Sequence, residues 1–358
     1  MSGIANEVSG MDSKRWQLLA ALARERGLDP GQLPIPGRSG KGPSPLSFAQ
    51  ERLWVLDQIE PGLPVYNEPY RARLTGPLDL AALAASLSEI VRRHEILRSR
   101  FPNQDGLPVQ VVCAPRPLLL PVADLSALPA AQREAEAGRR SFEEASLPFD
   151  LAAGPVLRVS LIRLGETEHL LLFTLHHIVS DAASIGILVA ELEALYSGKT
   201  LPEPALQYAD YAAWQRDCLQ GSQLTRLLDY WRERLEGSPP LLDLPTDVPR
   251  SEHLGFAGGE RPLRLGSGLA QRLHTLARHE GATLFMLLLA AFDALLARLS
   301  GQSDVLVASP VAGRGRTELE GMVGFFVNTV VLRADLGDDP SFEELVRQVR
   351  KTALAAFD

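Results

Sequence analysis

The 358-residue sequence predicts a mixed α/β protein built as two lobes. The length suits two cores at roughly 150 residues per domain. Its composition, 46% hydrophobic and 22% charged, is that of a globular chain and not of a disordered or fibrous one. Strand-like and helix-like apolar periods interleave without the regular alternation of a doubly wound sheet. No fixed-period repeat or low-complexity segment interrupts them.

Local chemistry places each element. Asp12 or Ser13 can cap a first helix in which Trp16, Leu19, Leu22 and Ala23 share one face, with Gly27 ending it. Residues 33–45 are rich in proline and glycine and too polar to pack, so this helix reads as an appendage and the main body starts near Ser44. Asp79 caps a helix that turns Leu80, Leu83, Leu87, Ile90 and Val91 inward, flanked by short strands at 70–74 and 109–112. After a helical stretch at 130–145, strands at 156–164 and 169–175 meet across the turn Gly165-Glu166-Thr167-Glu168. The second of these strands is almost wholly apolar, which predicts a central position. A helix with Ile185, Leu188, Val189, Leu192, Leu195 and Tyr196 at helical spacing comes next. The proline-rich residues 237–249 read as a connection between lobes. Beyond them follow a strand, helices at 269–278 and 284–299, strands at 304–309 and 325–332, and a helix at 342–356. The chain stops after this unfinished amphipathic helix, which reads as a cut within a domain.

Charge and composition exclude several function classes. Lysine and arginine total 36 against 44 aspartates and glutamates, a formal charge of -8, which argues against a nucleic-acid partner. The first 16 residues lack an apolar core flanked by basic residues, so a secretory signal is not supported. The apolar stretch 284–299 is shorter than a bilayer span and contains Asp293 and Arg298, so it reads as a buried helix and no membrane role is expected. Cys113 and Cys218 fit neither a redox pair nor a zinc site and read as reduced packing residues of a cytoplasmic protein.

One constellation carries chemistry: His176, His177 and Asp181 at a strand-to-helix junction. If the strand persists through the pair, adjacent side chains face opposite ways and only one histidine enters a cleft. Asp181 can cap the helix, bind an arginine or orient an imidazole. Three readings compete. A metal site needs further ligands, and His94, His169, His253, His274 and His279 show no pairing at ligand spacing. A hydrogen-bonded core pair needs nothing more. A single catalytic histidine for acyl transfer fits the absence of a G-x-S-x-G elbow or a reactive-cysteine signature. Spacing alone does not decide among them.

Five motifs in order carry a resemblance. Ser47-Phe48-Ala49-Gln50-Glu51-Arg52-Leu53-Trp54, Arg93-His94-Glu95-Ile96-Leu97-Arg98-Ser99-Arg100-Phe101, the histidine pair with Asp181, Tyr208-Ala209-Asp210-Tyr211-Ala212-Ala213-Trp214, and Val323-Gly324-Phe325-Phe326-Val327-Asn328-Thr329 together resemble the condensation domains of nonribosomal peptide synthetases. These belong to the chloramphenicol-acetyltransferase-like acyltransferases. The resemblance covers residues 44–358, and the first helix with its linker resembles the segment that often precedes such domains. Two positions depart from the family pattern: Ala182 stands where glycine is usual after the aspartate, and Ile185 where tryptophan is frequent.

The resemblance implies two chloramphenicol-acetyltransferase-like α/β lobes in a V-shaped pseudo-dimer, the second incomplete because the family's last two motifs fall beyond residue 358. It divides the chain into a helix and linker at 1–43, an N-terminal lobe at 44–212 and a C-terminal lobe at 213–358. It implies amide formation between a donor acyl or peptidyl thioester and an acceptor aminoacyl amine. The phosphopantetheine arms come from partner carrier proteins, with neighbouring synthetase domains as further partners, and no cofactor or metal is bound directly. His177 is the implied catalytic residue beside His176, with Asp181 paired to Arg314. Ser180, Ala182, Asn328 and Thr329 are tunnel candidates. Ser180 is weighed as a helix cap, Asn328 and Thr329 as plain ladder positions, and Gln50, Arg52 and Trp54 as tunnel border or packing. Arg93, His94, Glu95 and Arg98 read as scaffold, and Tyr208, Asp210 and Trp214 as lobe packing. The rivals are an acyltransferase or epimerisation domain of the same superfamily and a catalytically silent docking platform.

Overall fold

The computed structural model describes residues 13–38, 40, 42–248, 258–259 and 261–357. Asp12, His253 and the last residue of the proline-rich stretch, at 249, lie outside the described residues. Helix α1 (Ser13–Glu25) buries Trp16, Ala20 and Ala23. Leu19 and Leu22, expected on that face, are exposed, because the small Ala20 lets the helix lie close to Cys218 and Trp214. The following segment packs as well, contrary to the expectation of a loose linker. Ile35 joins the main core, while Arg38 pairs with Asp210 at 3.0 Å, with Glu95, and with Ser44 Oγ at 3.0 Å. Ion pairs with hydrogen-bond geometry hold this polar stretch where apolar area does not.

Strand β1 (Ser44–Pro45) leads into α2 (Phe48–Ile59), which Ser47 and Gln50 start as a reciprocal capping box. Next come β2 (Asn67–Thr75), α3 (Leu80–Arg93) with Asp79 as its N-cap, and the short strands β3 (Ser99–Arg100), β4 (Asn103–Gln104) and β5 (Leu107–Val112). They are followed by β6 (Val122–Asp124), α4 (Ala130–Ser146), β7 (Leu157–Arg163) and β8 (Glu168–His176). A 3-10 turn, His177–Val179, precedes α5 (Ala182–Tyr196), α6 (Tyr208–Cys218) and α7 (Gly221–Leu235).

Strand order β2-β8-β7-β6 makes one sheet, antiparallel except for the β6–β7 pair, and β1-β5-β3 with β4 on β5 makes another. Strand β8 is central, as its apolar run predicts. Leu170 and Leu172 pack with Ala137 of α4, whereas Leu171 and Leu175 enter the core that holds Leu83, Leu87 and Ile90 of α3. Both faces of the pleat are covered, which suits the apolar run Leu170 to Phe173. Cys218 packs in the interior, while Cys113, expected to do the same, is exposed just past β5.

The remaining elements are α8 (Ser267–His279), α9 (Leu284–Ser300), β9 (Asp304–Val311), α10 (Thr317–Glu320), β10 (Asn328–Asp335) and α11 (Phe342–Phe357). Strands β9 and β10 form an antiparallel ribbon on which α9 and α11 pack. The contacts divide the chain into Met1–Gln223 with Ala312–Val327, and Leu224–Val311 with Asn328–Asp358. This differs from the expected division at residue 213. Segment 312–327 joins the first unit because Leu319, Met322, Val323, Phe325 and Phe326 lie in its core. For the same reason the strand expected from residue 325 begins at Asn328.

The proline-rich stretch belongs inside the second unit and is not a link between units. Gln302 bonds Asp243 N at 2.7 Å and Leu241 O at 3.1 Å, and Arg333 donates to Glu236 O at 2.9 Å. Helix α9 is buried on one side only: Phe285, Leu288, Phe292, Leu295 and Leu299 are exposed on the other. No single described helix is long and apolar enough to cross a membrane.

Trp16 is only 1% exposed, so the first helix is integral to the unit it packs on. Trp16→Ala is expected to cost about 3–5 kcal/mol, read as a lowered urea midpoint of the first unfolding transition. An unchanged midpoint would make that helix a mere attachment.

Candidate active site

The histidine pair separates because the strand ends between its members. His176 is the last residue of β8 and His177 opens the 3-10 turn. The alternation expected of a continuing strand is therefore not what divides them. His176 is 3% exposed, accepts a hydrogen bond from Ile178 N at 3.1 Å through Nδ1, and lies near the rings of Tyr66 and Phe149. Burial first, and the neighbouring His177 second, push its pKa down to about 3. It is a neutral packing residue with a backbone partner.

His177 keeps 29% of its side chain exposed. Its Nδ1 lies 2.8 Å from the carbonyl of Ser180, and a carbonyl only accepts, so Nδ1 carries the hydrogen. Nε2, which has no hydrogen-bond partner among the described residues, is then left with its lone pair. The Glu68 carboxylate lies 3.3 Å from Nδ1, and the Phe325 ring centroid sits 4.6 Å from the imidazole. Burial opposes charge on His177, but the hydrogen bond and charge of Glu68, the Ser180 carbonyl and the charge of Asp181 outweigh it, raising the pKa above its ordinary value.

Asp181 is buried and makes four contacts. Oδ1 accepts from Ser184 N at 2.8 Å as the N-cap of α5, lies 2.8 Å from Ser184 Oγ and accepts from Arg314 Nη2 at 2.9 Å. Oδ2 accepts from Phe326 N at 3.2 Å. It does not bond the imidazole. Arg314 donates further to the carbonyls of Leu319 and Met322 and stacks over the Phe326 ring. Ser180, weighed as the cap, instead donates its hydroxyl to Glu68, because Asp181 occupies the capping position. Ala182 is exposed in the first turn of α5, where a methyl group fits helical backbone without strain.

The other motifs surround this junction. Gln50 Nε2 donates to Ile178 O at 3.0 Å, which steadies the turn carrying His177, and Trp54 donates to Phe101 O at 2.9 Å. Arg52 is exposed. Tyr208 donates its hydroxyl to Phe325 O and meets Ser47 Oγ at 2.8 Å. Arg93 grips Glu191 of α5 with two bonds of 2.9 and 3.0 Å, and His94 Nε2 lies 2.9 Å from the same carboxylate. Asp210, in the first turn of α6, accepts from Gln207 N at 2.7 Å and binds Arg38. His177, His176, Asp181, Arg314, Ser180 and Ala182 thus belong to the first unit. Asn328 and Thr329 belong to the second, exposed at the start of β10 opposite Val311 and Pro310.

No site role is read from the sequence for Glu68, Ser184 or Phe325, although Phe325 lies in the fifth motif. Glu68 reaches His177 only because β2 pairs with β8 in the register Glu68↔Leu175, information that local sequence does not carry. An acidic residue at the head of a strand was the sole available signal. Among the described residues no three His, Cys, Asp or Glu side chains are grouped to hold a metal ion.

Two outcomes are expected. Asp181→Ala leaves the Arg314 guanidinium buried without its carboxylate and should cost about 3–5 kcal/mol of stability, seen as poor solubility or a lowered denaturation midpoint. An equally stable variant would show the pair to be dispensable. For His176 the folded pKa of about 3 lies below the ordinary 6.5, so between these values the unfolded chain binds more protons. Stability supplied by neutral His176 should therefore fall as pH drops from 6.5 towards 3. His176→Gln removes this slope, and parallel pH–stability curves for variant and parent would refute it.

The condensation-domain family model matches residues 41–358. The chain is 50% identical over 319 residues to one of the linear gramicidin synthase proteins of Brevibacillus parabrevis, covering 87% of this chain and 6% of that protein. It resembles the crystal structure of the X-domain from teicoplanin biosynthesis with a TM-score of 0.80 and 31% identity, covering 87% of this chain and 70% of that one. The first condensation domain of the calcium-dependent antibiotic synthetase matches with a TM-score of 0.73 and 26% identity, over 88% of this chain and 74% of that one. The histidine pair, its buried aspartate and the mixed α/β fold around them are thus those of a chain that belongs to the condensation-domain family of nonribosomal peptide synthetases.

Proposed function

We propose that the protein forms an amide between two carrier-bound thioesters, with His177 as the proton-transferring residue. The observation that carries this reading is the asymmetry of the pair. His176 is sealed and neutral, while His177 has Nδ1 held and Nε2 free on a partly exposed ring. The acceptor α-amine has an ordinary pKa of roughly 7.7–8, so a good fraction is already unprotonated near neutral pH. It attacks the donor carbonyl, the C–N bond forms, and the bonded nitrogen becomes strongly acidic. Nε2 takes that proton and returns it to the sulfur as the C–S bond breaks, leaving an amide and a thiol.

Asp181 and Arg314 serve this chemistry by holding the start of α5 and the Phe326 backbone, not by touching the reacting atoms. Thioester cleavage supplies the driving force, so the reading needs no resident cofactor or metal. The phosphopantetheine arms belong to donor and acceptor carrier proteins, which would be the partners together with neighbouring synthetase domains. Tethering both reactants supplies orientation, worth about 7–11 kcal/mol in favourable cases, and acid-base assistance is worth about 10²–10⁴-fold.

A second reading, a platform that binds another protein without acyl transfer, draws on the likeness to the teicoplanin X-domain, which has been solved in complex with OxyB. Intact-mass measurement of loaded carriers incubated with the protein separates the two. Transfer of the donor acyl group onto the acceptor, reduced about 10²–10⁴-fold by His177→Ala, is the expected result. Unreacted carriers that nevertheless bind favour the platform, and a His177→Ala variant with full rate removes the acid-base role. The acid side of the rate profile should fall as pH drops through the raised pKa of His177, because protonation occupies Nε2.

A further inference from the structure

The carboxylate nearest the His177 ring is not one of the motif residues. Glu68 sits near the start of β2, and its side chain is 17% exposed. Its Oε2 accepts from the Ser180 hydroxyl and lies 3.3 Å from His177 Nδ1, while Oε1 accepts from the Tyr70 hydroxyl at 3.3 Å. Ser180 therefore acts twice, through its hydroxyl on Glu68 and through its carbonyl on the imidazole.

We propose that Glu68 is a positioning residue for His177, holding the ring with its hydrogen on Nδ1 and balancing the charge gained when Nε2 takes a proton. This rests on the reading of His177 as the proton-transferring group. The other groups facing the ring do not supply that balance. Asp181 is matched by Arg314 at 2.9 Å. Tyr70 stays protonated, its pKa raised to about 12 by burial and then by Glu68 and Asp181. Buried His176 is neutral. Glu68, by contrast, pairs with no lysine or arginine among the described residues, and its one ion-pair partner there is the imidazole. A carboxylate within about 4–6 Å favours the charged form of its neighbour, and the raised His177 pKa agrees with this.

Glu68→Gln keeps the size and the oxygen that accepts from Ser180, removes the charge, and exchanges Oε1, which accepts from Tyr70, for an NH2 group. Histidine-labelled protein, with the His177 signal assigned by His177→Gln, reports the ring directly by NMR titration. In the parent, ¹⁵N shifts above the midpoint should show the hydrogen on Nδ1. A ring protonated on Nε2 instead overturns the proposal without any variant. In Glu68→Gln the His177 midpoint should move to lower pH. With loaded carriers, kcat should fall about 10- to 100-fold, within the range acid-base assistance commands, with KM little changed. Glu68→Asp should restore part of both. An unmoved midpoint in Glu68→Gln overturns the proposal whatever the rate does. A moved midpoint alongside a His177→Ala variant of full rate leaves the charge pairing intact and removes the catalytic reading, so the two fail separately.

Discussion

The buried carboxylate of Asp181 is the point on which the site depends. Its oxygens cap α5, hold Arg314 and receive the Phe326 backbone, so one side chain joins the helix after the histidine pair to a segment some 140 residues later. Removing two such charges from water is costly, and the cost is recovered only with well-placed partners: Asp181 has four contacts and Arg314 bonds Asp181, Leu319 O and Met322 O, although Arg314 Nε is buried with no partner among the described residues. That requirement makes the arrangement specific. Gly313 has φ +65°, and a Cβ there would lie 2.0 Å from Phe326 O; a Cβ on Gly324 would lie 1.8 Å from the Tyr208 ring. Gly324 lets the segment 312–327 lie against Tyr208, and Gly313 lets the two ends of that segment meet at backbone distance.

Two adjacent histidines with one chemistry in water acquire opposite character here. For His176 desolvation dominates, since neither the rings around it nor the Ile178 N–H favours a charged imidazole. His177 is also desolvated, but a carboxylate and a carbonyl at Nδ1 reverse the balance. The difference arises from the strand ending after His176, which lets the next residue turn towards Glu68 and Phe325.

The outer motifs act at a distance from the ring by fixing what carries it. Helix α5 is tied at its start by Arg314 and two turns later by Arg93 and His94 on Glu191, which together hold that carboxyl down at about pKa 2 despite its burial. Gln50 holds the turn from below through Ile178 O. Exposed pairs such as Arg139–Glu136 add little by comparison, because water screens them.

Much was open to inspection in the residue order alone. The apolar run of β8, the Asp79 cap, and the helices at α8, α9 and α11 follow from periods and capping residues that act within a few positions. The histidine pair and Asp181 stand out for the same reason, being close in the chain. What folding alone decided concerns contacts between distant segments: that Ile35 and Arg38 pack, that residues 312–327 join the first unit, that Cys113 is exposed, and that Glu68 meets His177. Strand register and long-range ion pairs depend on which surfaces meet after collapse. A carboxylate and an imidazole more than a hundred residues apart leave no mark on each other's local pattern.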